Sequence, residues 1–169
     1  MKNSKEQTVY YGHIDSNGWS LYLAVTETGL CFVGKGGISE MNQWFEKYRP
    51  KARLVEGWDN VSTYAAELVE YLNGYRKVFD LSVDLSGTKF QEAVWTELQN
   101  IPYGETKTYT DISKNIGKPS SVRAVGTAIG ANPILIVVPC HRVIRKSGKL
   151  AGYRGGILMK EKLIGLESM

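Results

Sequence analysis

The amino-acid sequence predicts an α/β protein with two domains. A small mixed α/β N-terminal domain (residues 1–80) is followed by a linker (residues 81–87) and by a mainly helical C-terminal domain that contains a helix-turn-helix (residues 88–169). Aromatic and β-branched residues dominate residues 19–25 and 30–33, and the turn-forming residues 26–29 separate them, which predicts a β-hairpin. Apolar residues at helical spacing prevail after residue 88. Residues 80–87 are polar at alternate positions and end in glycine, which is typical of a domain boundary.

Composition limits the class of protein and its location. The hydrophobic fraction of 43% and the charged fraction of 22% are typical of a globular domain, and no apolar run has the ~20 residues that a membrane helix needs. Residues 1–7 are polar and carry no secretory signal. The cysteines, Cys31 and Cys140, are far apart, and with His13 and His141 they show no zinc-site spacing. We therefore expect a cytoplasmic protein without disulfides, membrane segments or metal.

Charge is distributed unevenly along the chain. Residues 1–87 contain nine Lys and Arg against eleven Asp and Glu, whereas residues 88–169 contain twelve against six. An excess of this size is often only a solvated surface, but it also fits a C-terminal half that meets a polyanion. The charge pattern leaves both interpretations open.

The N-terminal residues predict structure and no chemistry. Strands are expected at residues 10–14 and 53–55 besides the hairpin, and helices at residues 41–48 and 60–72, the second ended by Gly74. Cys31 falls within a strand pattern and is expected in the core. No residue of this half belongs to a recognisable catalytic pattern.

Three helices are predicted early in the C-terminal half. The first begins with a capping box of Thr88 and Gln91 and carries an apolar stripe of Phe90, Val94 and Leu98, with Trp95 beside it. The next two helices are short and flank a turn at residues 117–119. Thr108 caps the first of them, whose apolar stripe is Tyr109, Ile112 and Ile116. Ser120 caps the second, whose apolar stripe is Val122, Val125 and Ile129. This pattern predicts a helix-turn-helix, although an ordinary helical hairpin has the same pattern.

The non-core positions of the second short helix carry small side chains, with one arginine as the exception. These positions are Arg123, Ala124, Gly126, Thr127, Ala128 and Gly130. A glycine inside a helix costs ~1 kcal/mol relative to alanine, so two of them need a reason. Close approach of another backbone is the usual reason. That backbone could be a nucleic acid reached by Arg123, or a neighbouring helix.

A nucleophile is predicted after a short apolar run. Residues 134–138 predict a strand buried on both faces, and Pro139 should end it because proline cannot donate to a ladder. Cys140 then lies at the end of a rigid element, beside His141. An imidazole nearby can convert a thiol into the nucleophilic thiolate, but His141 reaches Cys140 only if the backbone bends after Pro139. A buried, inert cysteine is the alternative.

The chain closes with a basic turn at residues 145–149, a glycine-rich stretch at residues 152–156 and a helix predicted at residues 158–166, with Glu167 just beyond it. A glycine-rich stretch can bring backbone amides close to a ligand, or it can simply be flexible. These segments complete the C-terminal half.

Several of these segments together resemble a known family. The resemblance rests on Asn132-Pro133, the Pro-Cys-His-Arg-Val pentapeptide at residues 139–143, Gly152-Tyr153, the Arg-Ala-Val-Gly at residues 123–126 and the terminal Glu167. Over residues 88–167 the chain resembles the O6-alkylguanine-DNA alkyltransferases. The resemblance implies a ribonuclease H-like N-terminal domain and a winged-helix-like C-terminal domain. It also implies a DNA repair protein that flips O6-methylguanine out of double-stranded DNA and transfers the alkyl group irreversibly to itself.

The resemblance also implies a role for each residue of the site. Cys140 is expected to accept the alkyl group, His141 to take its proton through a water, and Glu167 to orient the imidazole. Asn132 is expected to brace the active-site turn, and Tyr153 to protonate the departing guanine. The pocket is expected to use carbonyls of Cys140 and Val143, the amide of Arg154, and the nearby Lys160.

On the DNA side, the resemblance implies base flipping through two residues. Arg123 would fill the gap in the base stack and Tyr109 would crowd the target phosphate. The small helix face would enter the minor groove with Ala124, Gly126, Thr127 and Gly130. O4-alkylthymine remains open as a further substrate.

Transfer would proceed by SN2 displacement from O6 to sulfur, forming a thioether that water does not reverse. We therefore expect one turnover per molecule, no cofactor, and a monomer. Two departures from the family stand out: Gly155 occupies the position where many bacterial members carry Trp, and the N-terminal zinc ligands of some members are missing.

Three other functions remain open. A non-catalytic alkylated-DNA-binding protein of the alkyltransferase-like class would share the fold, but such proteins replace the cysteine. A cysteine hydrolase built on Cys140 and His141 would leave the Arg123 helix unexplained. A transcriptional regulator would need larger polar side chains on its recognition helix to read the major groove.

Overall fold

The structure is a computed structural model that describes residues 6–169. It divides into two compact units, one ending at Asp84 and the other beginning at Leu85. The expectation of no secretory signal rests on the polar residues 1–7, and residues 1–5 of these lie outside the described residues. No helix within residues 6–169 has the length and apolarity required to cross a membrane.

The N-terminal unit is a mixed four-stranded sheet with helices. Its elements are β1 (Gln7–Ser16), β2 (Trp19–Val25), β3 (Leu30–Gly34), α1 (Gly37–Tyr48), β4 (Ala52–Glu56) and α2 (Trp58–Leu72). The sheet order is β3-β2-β1-β4, with β1 and β2 antiparallel and β1 and β4 parallel. The predicted hairpin is confirmed, because β2 and β3 pair antiparallel. The other predicted strands and helices of this half are also present.

One buried cluster of this unit includes Cys31 and Phe32 of β3 and Met41 and Phe45 of α1. Cys31 is fully buried, as expected, and its thiol donates to the carbonyl of Ala24. Burial raises the pKa of this thiol to about 12. Cys31 is therefore an unreactive core residue.

The C-terminal unit is mainly helical. Its elements are α3 (Lys89–Leu98), β5 (Lys107–Thr108), α4 (Tyr109–Asn115), α5 (Val122–Gly130), a 3₁₀ turn (Cys140–Arg142), β6 (Val143–Ile144) and α6 (Ile157–Glu167). Both α3 and α4 pack against α5, and Trp95 Nε1 donates to the carbonyl of Ala128 at 2.8 Å. Ala128 is consequently buried, so its assignment to the non-core face of α5 was wrong.

The helix starts are mostly as predicted. Thr88 and Gln91 form both hydrogen bonds of the expected capping box, and Thr108 caps α4 together with Asp111. The prediction of Ser120 as the next cap is wrong, because α5 begins after Ser121 and that residue makes no side-chain cap bond. Glu167 is the last residue of α6 and does not lie beyond it.

The predicted strand at residues 134–138 is the main error. The segment is buried, but it forms a turn: Val138 N donates to Ile134 O at 3.1 Å, and Val137 N donates to Leu135 O at 2.9 Å. Ile136 has a φ of 73°, a left-handed conformation that is rare for a β-branched residue. The apolar residues correctly predicted that the segment is buried, but its backbone hydrogen bonds are those of a turn and not of a strand.

Candidate active site

Asn132 holds the turn that precedes the predicted nucleophile. Its Oδ1 accepts from Ile134 N at 2.9 Å, and its Nδ2 donates to Val138 O at 2.8 Å and to Ile134 O at 3.3 Å. The same Nδ2 lies 3.1 Å from Cys140 Sγ as a donor. One buried amide therefore fixes both ends of the turn and contacts the thiol, at the position where the sequence predicts a brace.

Cys140 begins the 3₁₀ turn directly after Pro139, so the backbone bends where the proline predicted it. The residue is 3% exposed, and burial raises the pKa of its thiol. The Asn132 hydrogen bond and the positive charges of Arg154 and Lys160 act in the opposite direction and favour the thiolate. The thiol is therefore buried but surrounded by groups that stabilise its charged form.

His141 forms a buried pair with Glu167 of α6. The two atoms His141 Nε2 and Glu167 Oε2 are 2.7 Å apart, and neither side chain is more than 3% exposed. Burial is the main cause that lowers the pKa of His141, whereas Glu167 raises it and Arg142 and Lys160 lower it. The imidazole is thus favoured in its neutral form, which can accept a proton.

Arg142 is a member of this site that the sequence did not identify. Its guanidinium donates to both carboxylate oxygens of Glu167, from Nε at 2.8 Å and from Nη2 at 3.0 Å, and from Nη1 to Ile101 O at 2.6 Å. The backbone amide of Gly104 donates to Glu167 Oε1 at 3.1 Å. The sequence marked residues 101–104 only as a helix break, and nothing in it indicated these contacts.

The expected pocket residues lie around the same turn. Lys160, 1% exposed, donates from Nζ to the carbonyl of Val143 at 2.6 Å, and burial lowers the pKa of its ammonium. A carbonyl has two lone pairs, so Val143 O can still accept a second donor. The guanidinium of Arg154 donates to the carbonyls of Asn132 and Pro133, each at 3.1 Å. Its side chain thus ties the glycine-rich stretch to the active-site turn.

Tyr153 is half-buried in that stretch, beside Gly155. A Cβ added to Gly155 would lie 2.4 Å from Met159 Sδ and 2.9 Å from Cε1 of Tyr153. A tryptophan at this position would require Met159 or Tyr153 to move. The present positions of Met159 and Tyr153 therefore leave room for no side chain at Gly155.

The expected DNA-contacting residues lie on α4 and α5. Four of them are exposed on α5: Arg123, Ala124, Thr127 and Gly130. Apart from the chain neighbours and the backbone of α5 itself, no described residue has an atom within 4 Å of a Cβ placed on Gly130, and a Cβ on Gly126 would meet only the Tyr109 ring, at 3.8 Å. Intramolecular packing thus gives no reason for either glycine. Both glycines leave this face of α5 open to a close approach from outside.

Tyr109 links this face to the nucleophile. It begins α4 directly after β5, and β5 pairs in parallel with β6, which follows the 3₁₀ turn. Burial and the proximity of Cys140 raise the pKa of its hydroxyl. The ring of Tyr109 lies beside Gly126 of α5, the helix that carries Arg123, and its hydroxyl lies near Cys140. Tyr109 therefore lies between the α5 helix and the nucleophile.

Comparison with known proteins agrees with this geometry. The family model "6-O-methylguanine DNA methyltransferase, DNA binding domain" matches residues 89–169, and "6-O-methylguanine DNA methyltransferase, ribonuclease-like domain" matches residues 9–85. The chain belongs to the 6-O-methylguanine DNA methyltransferase family. The family resemblance seen in the sequence is confirmed, and so is the fold class, with a ribonuclease-like α/β domain and a mainly helical domain.

Individual members of this methyltransferase family are similar over nearly their whole length. The chain is 50% identical to the inducible methylated-DNA--protein-cysteine methyltransferase of Bacillus subtilis, covering 97% of this chain and 93% of the relative. It is 51% identical to that of Mycolicibacterium paratuberculosis, covering 94% and 92%. The crystal structure of Mycobacterium tuberculosis OGT in complex with DNA has a TM-score of 0.80 at 41% identity, covering 94% and 92%.

Within residues 6–169, no three His, Cys, Asp or Glu side chains are grouped so that they could hold a metal ion. The groups that the structure brings together at the site are the Cys140 thiol, the His141 imidazole and the charged side chains around them.

Proposed function

We propose that this chain repairs alkylated DNA by transferring the alkyl group of O6-methylguanine in duplex DNA to Cys140, once per molecule. The observation that carries the proposal is the thiol of Cys140, bonded to Asn132 and directly followed by the buried His141–Glu167 pair. The names of the relatives, methylated-DNA--protein-cysteine methyltransferases, support it. The DNA complex of the Mycobacterium tuberculosis relative supports DNA as the partner.

The first step is DNA binding through the exposed small face of α5. Ala124, Thr127 and Gly130 are small or short and exposed, so they would let the minor groove come close, and the exposed Arg123 would enter the base stack. Tyr109 would crowd the phosphate of the target nucleotide, so that the damaged guanine turns out toward Cys140. Unstacking is least costly at a damaged base, which favours the lesion over normal guanine.

The second step is the transfer itself. His141 takes the proton of the Cys140 thiol through a water, and the thiolate attacks the methyl carbon. A carbon–sulfur bond forms as the carbon–O6 bond breaks, and the leaving electron pair stays on the guanine, which takes a proton from the hydroxyl of Tyr153. The proton that His141 took from the thiol balances this one, and it returns to the Tyr153 phenolate through water. Carbonyls of Cys140 and Val143 would hold the amino group of the guanine, and the Arg154 amide would face O6.

Glu167 and Lys160 complete the scheme. Glu167 stabilises the imidazolium that forms on His141, and Lys160 places a positive charge near the thiolate. No cofactor enters the reaction, because the attacking group and the leaving group are supplied by protein and DNA. We also propose that the protein works as a cytoplasmic monomer, with residues 81–87 as the link between its two domains.

The test is the mass of the intact protein after incubation with duplex DNA carrying one O6-methylguanine. The expected gain is one methylene group, localised to Cys140 by peptide mapping and absent in Cys140→Ser. Cys31→Ala serves as the matched control and should gain the same mass, since Cys31 is buried in the core of the other unit. Lesion binding without any mass gain would favour a non-catalytic damage-binding protein, and repeated turnover would indicate a hydrolase; either result would refute the proposal.

A further inference from the structure

We infer that Arg142 is a positioning residue, which fixes the Glu167 carboxylate against His141 and offsets its negative charge, so that the imidazole stays neutral until it takes the thiol proton. The inference rests on the proposed function, since it concerns how the same site is prepared for transfer. It assigns to Arg142 a task that the sequence did not indicate.

The geometry leaves the carboxylate one orientation. Glu167 Oε1 accepts from Arg142 Nε at 2.8 Å and from Gly104 N at 3.1 Å, while Oε2 accepts from Arg142 Nη2 at 3.0 Å and faces His141 Nε2 at 2.7 Å. The third guanidinium nitrogen donates to Ile101 O at 2.6 Å. A planar fork of this kind holds a carboxylate through two parallel bonds, which a lysine cannot reproduce. Rotation of the carboxylate would break several bonds at once.

The charge balance follows from the same contacts. A buried carboxylate facing an imidazole with no other partner favours the imidazolium, because opposite charges attract strongly where water is excluded. An imidazolium cannot accept the thiol proton. With Arg142 bound to Glu167, the pair facing His141 has no net charge, and Nε2–H can donate to Oε2 while the lone pair stays on Nδ1.

Other groups around His141 do not replace Arg142. Lys160 of α6 is also positive but donates to Val143 O, and its charge lies close to the thiol of Cys140. Tyr103 lies beside Arg142, with the guanidinium carbon 5.8 Å from the centre of its ring, and burial together with Glu167 raises the pKa of its hydroxyl. Tyr103 therefore stays neutral, and Arg142 is the cation that neutralises Glu167 directly.

The decisive measurement is the titration of the His141 ring by ¹⁵N NMR, which needs no DNA. The chain has only two histidines, and the exposed His13 can be replaced by glutamine in the other unit, so that a single imidazole is observed. In this background, Arg142→Gln should raise the apparent pKa of His141 by about one unit or more, because Glu167 is no longer offset. Arg142→Lys keeps the charge and should titrate close to the parent.

The double variant Arg142→Gln/Glu167→Gln removes both charges and should abolish the upward shift. A His141 titration that is the same in Arg142→Gln and the parent, or one that rises equally in Arg142→Lys, would overturn the inference. Chemical denaturation first establishes that each variant is folded. If Arg142→Gln does not fold, Arg142→Lys decides: loss of the fork should slow transfer at least fivefold at every pH, and a parental rate would refute the positioning role.

Transfer rates separate this inference from the proposed function. In Arg142→Gln, which loses both the fork and the charge, single-turnover transfer should be slowed at every pH, as in Arg142→Lys, and should be slowed further at low pH until the pH rises past the raised pKa of His141. A loss in Arg142→Gln that equals the loss in Arg142→Lys at every pH would refute the control of the imidazole charge by Arg142. If the parent itself transfers no alkyl group, the proposed function fails, while the NMR titration still decides whether Arg142 controls the imidazole.

Discussion

The replacement Asn132→Ala tests the brace of the active-site turn. The amide makes four contacts in the structure, and its loss leaves the buried Ile134 N–H without the Oδ1 acceptor. Ile134 O and Val138 O each keep a backbone donor, from Val138 N and Cys140 N. An unsatisfied buried N–H costs about 1–3 kcal/mol, and the lost bond to Val138 O about 1 kcal/mol. We therefore expect the free energy of unfolding to fall by about 3 kcal/mol.

The same replacement should slow the chemistry. The Asn132 hydrogen bond lowers the pKa of the Cys140 thiol, so its removal should raise that pKa further and reduce the thiolate fraction at neutral pH. Urea denaturation measures the stability, and the pH dependence of iodoacetamide alkylation at Cys140 measures the thiol. Asn100→Ala is the matched control, because the side-chain amide of Asn100 is exposed and donates to Glu97 Oε2 at 3.3 Å on the surface. Its stability should change by less than about 0.5 kcal/mol.

The brace would be refuted by an Asn132→Ala variant with the stability of the Asn100→Ala control and a normal rate of Cys140 alkylation. That result would mean that the apolar residues alone specify the turn. A large stability loss with unchanged thiol reactivity would instead separate the two tasks, and would show that the contact with Sγ is not what activates the thiol.

Two further predictions concern the same unit. Burial lowers the pKa of His141, so the unfolded state binds a proton at this residue more readily than the folded state does. The free energy of unfolding should therefore decrease as the pH falls below 6.5, the ordinary pKa of histidine. Urea midpoints should show this decrease in the parent and a smaller one in His141→Gln. Ile136 and Ile134 are both fully buried, but only Ile136 has a positive φ. Ile136→Gly should therefore destabilise by about 1–2 kcal/mol less than Ile134→Gly, and equal losses would contradict a strained turn.

Sequence patterns predicted most helices and strands because local chemistry determines them. The helix α3 starts at the Thr88–Gln91 capping box, and the hairpin of β2 and β3 follows its turn residues. Both depend on neighbours within a few positions. Such elements can be predicted from a single chain, as can the burial of an apolar run.

The turn at residues 134–138 could not be predicted in the same way. A short apolar run indicates burial but does not distinguish a strand from a turn whose polar groups are satisfied by a side chain. Here the side chain is Asn132, which the sequence assigned to the site without revealing that it replaces a strand partner. Likewise, Arg142 contacts Ile101 and Glu167, 41 and 25 positions away, and no local pattern reports such distances.

The buried site also explains how one thiol can be both stable and reactive. Burial raises the pKa of Cys140 and lowers that of His141, so both effects favour the neutral thiol and imidazole while no substrate is bound. In the proposed mechanism the thiolate and the imidazolium form together, and the charges of Arg154 and Lys160 and the hydrogen bond to Glu167 then stabilise the charged pair. A protein that can react only once gains from this arrangement, because a permanent thiolate would be lost to oxidation before it met a lesion.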